Sequence, residues 1–136
     1  MVKTCIFDFG VQDEINSISS LAEEMSDKSD RIEPLDFFRI DMEFHRKLVA
    51  SSRNPALVET HRQYNARLWR ARFVSSRRVA RRTMTLDQHH QITDSLRKRD
   101  TRQISIALRN HLDTTINNIS EDQDENLAKP HEKHPL

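Results

Sequence analysis

The chain has 136 residues, 35% of them hydrophobic, with one glycine, one cysteine and a formal net charge of +1. That length and balance describe a single helix-rich globular domain able to bury a real core, while a lone cysteine excludes an intrachain disulfide and a thiolate-rich metal site. The apolar runs fall well short of the ~18 residues a membrane-spanning helix needs, the first residues do not read as the basic stretch and apolar block of a secretory signal, and a cytoplasmic location with no membrane partner is expected.

Residues 1–12 stand apart as an atypical N-terminal segment, because the run from Met1 to Gly10 is short, β-leaning and closed by the only glycine. From there the hydrophobic period predicts five helices. Val11, Ile15, Ile18, Leu21 and Met25 recur at three and four, which marks an amphipathic first helix. A polar linker from Ser26 to Asp30 leads to Pro34, suited to a first turn, and Leu35, Phe38, Ile40, Phe44, Leu48 and Val49 pattern the second helix. Asn54 as cap and Pro55 at the first helical position start a third, with Leu57, His61, Tyr64, Leu68 and Trp69, running to about Ser75. Trp69 and the phenylalanines are expected in the core.

Between Arg62 and Arg82 stand eight arginines and no acidic residue, whereas Glu121, Asp122, Asp124 and Glu125 crowd the start of the tail. Strong local fields follow despite the small total charge. Leu86, Ile92 and Leu96 pattern a fourth helix, and Asp100 caps a fifth in which Ile104, Leu108, His111 or Leu112, Thr115 and Ile119 repeat. The helical domain is thus read as 13–119. Residues 120–136, acidic and then rich in Lys, Pro and His, are expected to be a disordered tail.

Asp41 and His45, four apart on the second helix, share one face. With a histidine from each of the last two helices, His89 and His111, they make a candidate metal site of one carboxylate and three imidazoles. Three helices presenting buried polar groups toward one point would each lose ~1 to 3 kcal/mol if unpaired, and a shared ion relieves all of them. His89 and His90 are adjacent, and helical phase favours His89, which lies on the face of Ile92 and Leu96 while His90 is rotated by about 100°. His61 reads as an ordinary core or exposed residue, and His131 and His134 as solvated. The arginine block admits three readings: a solvated connector, a phosphate-tracking surface with Tyr64, Trp69 and Phe73 interleaved, or the source of one inward guanidinium that grips a carboxylate in a fork. On the third reading Asn65 and Arg72 flank the inner face of the third helix best, and are the candidate effector-binding residues.

The succession Asp-x-x-Phe-His from Asp41 to His45, Asn-Pro-x-Leu from Asn54 to Leu57, His-x-x-Ile from His89 to Ile92 and Ala-Leu-Arg-x-His-Leu from Ala107 to Leu112 resembles the C-terminal effector-binding (FCD) domain of the FadR subgroup of GntR-type bacterial transcription regulators. Family spacing also selects His89, three residues before Ile92 and twenty-two before His111. The resemblance implies an all-α antiparallel helical bundle with a central metal site holding one divalent transition metal (Zn, Ni or Mn) on Asp41, His45, His89 and His111. It further implies a small carboxylate metabolite as effector and a homodimer. DNA is expected to be bound only through a winged helix-turn-helix domain, which this chain does not read as containing, and the usual first helix of the family is not recognised in residues 1–10. The function expected is ligand sensing for transcription control, not enzymatic. The alternatives are a metal-dependent hydrolase, for which Glu43 is poorly placed as a base two residues from Asp41, and a stand-alone helical metal-binding protein.

Overall fold

A computed structural model describes residues 11–129; residues 1–10 of the N-terminal segment and 130–136 of the tail, with His131 and His134, lie outside them. The described residues form α1 (Val11–Lys28), α2 (Pro34–Ala50), α3 (Pro55–Ser76), a single 3-10 turn (Val79–Arg81), α4 (Arg82–Arg97) and α5 (Thr101–Ala128), with no strand among them. None of these helices is long and apolar enough to cross a membrane.

The local signals act where expected. Pro34 opens α2, the Asn54 side chain accepts from the backbone of Ala56 and Leu57 at the start of α3, and the Asp100 side chain accepts from Gln103 N at the start of α5. With the chain's one glycine at position 10, α2 and α4 are both followed by an arginine in the left-handed region, Arg53 (φ 53°) and Arg99 (φ 52°). That conformation costs a residue with a Cβ about 1–2 kcal/mol, which the packing of both helices must offset.

Each helix packs on two others: α1 on α2 and α4, α3 on α2 and α5, and α4 on α5. Five helices therefore close into a ring in the order α1, α2, α3, α5, α4. Short links make chain neighbours antiparallel. Thus Phe38 near the start of α2 meets Phe73 near the end of α3, ring centroids 5.4 Å apart. At the same end Arg82, first in α4, donates to the carbonyl oxygens of Ser29 and Ile32 in the α1–α2 link and lies 4.6 Å over the Phe37 ring. The far half of the ring is filled by Val11, Ile15, Ile18, Phe44, Ile92, Leu96 and Ile104, an apolar cluster contributed by α1, α2, α4 and α5. The near half is lined by Phe37, Phe38 and Met25.

Two expectations are corrected. Trp69 is not core: it is 54% exposed, and Leu57, Tyr64 and Leu68 are likewise exposed. The reason is the ring itself, since among the described residues α3 packs chiefly on α2 and α5 with no second layer outside it, and Ser75 is its single buried residue. Leu35 at the start of α2 is exposed too. The helical domain also does not stop at 119. Helix α5 runs nine residues further, to Ala128, because the acidic run meets the arginine block: Asp122 lies 2.8 Å from Arg78 and 3.0 Å from Arg81, Glu121 is 3.3 Å from Arg81, and Glu125 pairs with Arg78. The two charge runs that looked like separate solvated features neutralise one another across about forty residues of chain.

Candidate metal centre

Midway along the ring, α2, α4 and α5 point polar side chains at one another. Asp41 and His45 come from successive turns of α2, His89 from α4 and His111 from α5, and all four are buried. His45 Nε2 stands 3.1 Å from Asp41 Oδ1, His89 Nε2 is 3.2 Å from the same oxygen, and His111 Nε2 is 3.2 Å from His45 Nε2. One nitrogen of each histidine lies within 4.8 Å of the others. The His45 and His111 rings are stacked with centroids 5.0 Å apart and 5° between planes, and His89 stacks on Phe44 at 4.2 Å. The apolar ring of Phe44 thereby fixes the His89 plane, and the apolar core closes that side of the cluster.

The donor set fits a cation. Asp41 Oδ1 faces His45 Nε2 and His89 Nε2 at 3.1 and 3.2 Å but in directions too poor for a good hydrogen bond, and His89 Nδ1 is buried with no partner among the described residues, a condition that costs roughly 1–3 kcal/mol for each group left unsatisfied. Burial lowers the pKa of His45 from its ordinary value against the pull of Asp41. Burial, reinforced by His45 and His89, pushes His111 down to about 3. Burial opposes ionisation of Asp41, yet the facing His45 and His89 outweigh it and hold the carboxyl well below the ordinary range. Neutral imidazoles beside a carboxylate are the protonation state that binds a metal. Donors held at about 2.1 Å from one ion stand about 3.0 to 3.4 Å apart in octahedral or tetrahedral arrangement, and the three closest separations fall inside that interval.

A cleft opens from this cluster toward the near end of the ring. Asp41, His45 and His111 lie at its floor, and Arg72, Arg81, Arg82 and the hydroxyls of Ser75 and Thr85 line its walls. Asp41 is the only carboxylate among the lining residues. Arg81 is bonded to Ser75 Oγ and Asp122 and Arg82 to backbone carbonyls, but Arg72 makes no ion pair among the described residues. Its Nη1 donates to Asn65 Oδ1 at 2.6 Å. Burial lowers the Arg72 pKa, with Asp41 opposing the shift, and a guanidinium remains charged regardless.

The sequence-derived residues thus divide. Asp41, His45, His89 and His111 come together, and His90 is turned toward α1, where its Nε2 bonds Ser26 Oγ at 3.0 Å. Arg72 lines the cleft. Asn65 does not; it reaches the cleft only through Arg72, with His61 beside it on α3. Glu43 is tied to Arg46. Arg81, Arg82 and Gln88 were missed. Gln88 carried a signal, since it stands four and eight residues before Ile92 and Leu96 on the buried row of α4.

Comparison with known protein families matches the FCD domain over residues 9–114. No curated protein and no solved structure matches the chain.

Proposed function

From a chain that belongs to the FCD-domain family, the ligand-sensing domains of GntR-type transcription regulators, we infer a sensor in which Asp41, His45, His89 and His111 hold a divalent transition metal and the adjoining cleft takes a small organic acid. Zinc, nickel and manganese all accept imidazole and carboxylate donors. When bound, the ion supplies a Lewis-acidic anchor for a carboxylate, and four protein donors leave a five- or six-coordinate ion with open positions. The observation that carries the reading is Arg72: a largely buried guanidinium that makes no ion pair among the described residues, on the wall of a cleft whose floor is the metal cluster and whose one lining carboxylate is Asp41. A buried cation of this kind is costly unless an anion meets it, and its planar fork suits a carboxylate.

The side chains share the work. Asn65 holds the Arg72 fork in place through the 2.6 Å bond, while Ser75 and Thr85 offer hydroxyls to ligand oxygens further along the wall. The cleft is walled by α2, α3, α4 and α5, so an acid that binds one relative arrangement of these helices better than another shifts the population between them. That differential affinity is what sensing requires.

The test is thermal denaturation with a panel of acids such as lactate, succinate and citrate. At 100 times its dissociation constant a ligand stabilises the fold by ~2.7 kcal/mol, a rise of roughly 10 °C for a domain of this size. The rise should be seen in metal-loaded protein, and be small both after EDTA treatment and in Arg72→Ala. Equal shifts in metal-loaded and stripped protein would detach the acid from the metal and sink the proposal.

The macromolecular partner we propose is a second copy of the chain, with the exposed Leu57, Tyr64, Leu68 and Trp69 of α3 as apolar surface for it to cover. A native mass spectrum should show twice the chain mass with about one ion per chain. A monomer at tens of micromolar protein removes the dimer from the proposal and leaves the metal count intact.

A further inference from the structure

We propose that Gln88 is the positioning residue of the metal centre: it pins the His111 proton on Nδ1 and so presents the Nε2 lone pair to the cluster. The inference rests on the reading that the four donors hold a metal, and adds to it the element that sets one ligand's tautomer.

A chain of hydrogen bonds with a fixed direction runs from the exposed side of α5 to the buried His111 ring. Thr114, one turn from the end of its own donor path, gives its hydroxyl proton to the Asn110 carbonyl at 3.0 Å. Its oxygen is then free only to accept. The group facing it at 2.8 Å is the Gln88 amide nitrogen, a donor. The other end of that amide, the acceptor Oε1, therefore points the opposite way, and there it meets His111 Nδ1 at 2.8 Å. An acceptor demands a proton on that nitrogen. In a neutral imidazole a proton on Nδ1 leaves Nε2 bare, and this is the nitrogen that stands 3.2 Å from His45 Nε2. The origin of the sequence of bonds is a backbone carbonyl of α5, which cannot change its role, and the amide of Gln88, unlike a hydroxyl or an imidazole, has one donor end and one acceptor end. Reversing the direction would require Thr114 to abandon the Asn110 carbonyl and would place an N–H where a ligand lone pair is needed.

Burial strengthens the case. Gln88 is among the buried polar residues of α4 although it stands on the row of Ile92 and Leu96, a position at which an apolar side chain would pack. Outer partners of ligand histidines fix ring orientation and raise ligand basicity, and here the partner is a neutral amide that adds no charge to the core. His45 and His89 have no comparable outer bond among those resolved, and His89 Nδ1 has no hydrogen-bond partner at all. The Gln88–His111 bond is thus the outer contact that ties α4 to the His111 ring of α5.

The test uses the full chain, zinc alone as the probe and three variants: Gln88→Leu, Gln88→Glu and Thr114→Val. Competition against a chelating indicator should show zinc affinity falling about 10- to 100-fold in Gln88→Leu, less in Thr114→Val, and remaining at or above the starting value in Gln88→Glu, whose carboxylate still accepts from Nδ1–H. Long-range nitrogen–proton NMR of the metal-free protein reads the tautomer directly. The expected result is Nδ1–H for His111 in the parent chain and in Gln88→Glu, and a mixture or Nε2–H in Gln88→Leu. Nε2–H in the parent chain overturns the proposal, as does equal loss of affinity in Gln88→Leu and Gln88→Glu, which would mark Gln88 as packing alone. Failure of the parent chain to bind zinc while His111 is Nδ1–H would instead remove the metal reading and leave the tautomer assignment standing. Should Gln88→Leu not fold, the Gln88→Glu affinity and the parent tautomer still decide.

Discussion

Replacing His89 with alanine should abolish metal binding, while the same change at its neighbour His90 should leave about one ion per chain. His89 is fully buried, stacked on Phe44, with Nε2 turned to Asp41 at 3.2 Å and Nδ1 without a partner among the described residues. His90 is one residue on, rotated by about 100°, and spends its Nε2 on Ser26 of α1. Metal analysis after dialysis against zinc distinguishes the two. A ligand that binds only the folded state at 1,000 times its dissociation constant contributes ~4.1 kcal/mol, so EDTA should lower the melting temperature of the parent chain and of His90→Ala by more than 10 °C. His89→Ala should melt at the same temperature with or without EDTA. If both variants lose the ion equally, the assignment of His89 to the centre is wrong.

The second large effect is expected far from the metal. Asp122→Ala should destabilise the fold by about 2–3 kcal/mol, whereas Asp124→Ala two residues later should stay within about 0.5 kcal/mol. The Asp122 carboxylate is 8% exposed and lies between Arg78 and Arg81, 2.8 and 3.0 Å away. Removing one partner of a fully buried pair costs about 3–5 kcal/mol, and a loss at or somewhat below the low end of that range is expected here because the Arg78 side chain is 42% exposed and keeps Glu125. Asp124 is exposed and makes no ion pair among the described residues. Urea denaturation gives the two energies. Hydrogen exchange should also show the amides of residues 120–128 losing protection in Asp122→Ala, since their helix depends on the arginine block. Equal destabilisation by the two variants would mean that the tail helix stands without it.

Much of this molecule is readable without its fold. Asn54 and Asp100 act through bonds to their own next few residues, and Pro34 and Pro55 through a backbone angle already suited to a first turn, so the starts of α2, α3 and α5 follow from the chain alone. The same holds for Asp41 and His45, placed on one face by a spacing of four, and for the choice of His89 over His90, which phase along α4 decides. These are local quantities, and a helix expresses them wherever it is put. The exposure of Trp69 was not readable, because periodicity reports that a face is apolar and not whether another element exists to cover it. The buried row of Gln88 was readable but not its proposed role, which depends on Thr114 and His111 of another helix; nor was the extension of α5, which depends on Arg78 and Arg81 more than forty residues earlier. Asn65 and Arg72 lay between the two cases: their inward phase belonged to the sequence, but only the ring of helices determined that Arg72 reaches the cleft and Asn65 holds it there. A charge or a polar group is stable according to what stands within a few ångströms of it, and for residues far apart in the chain that distance is set by how the five helices close.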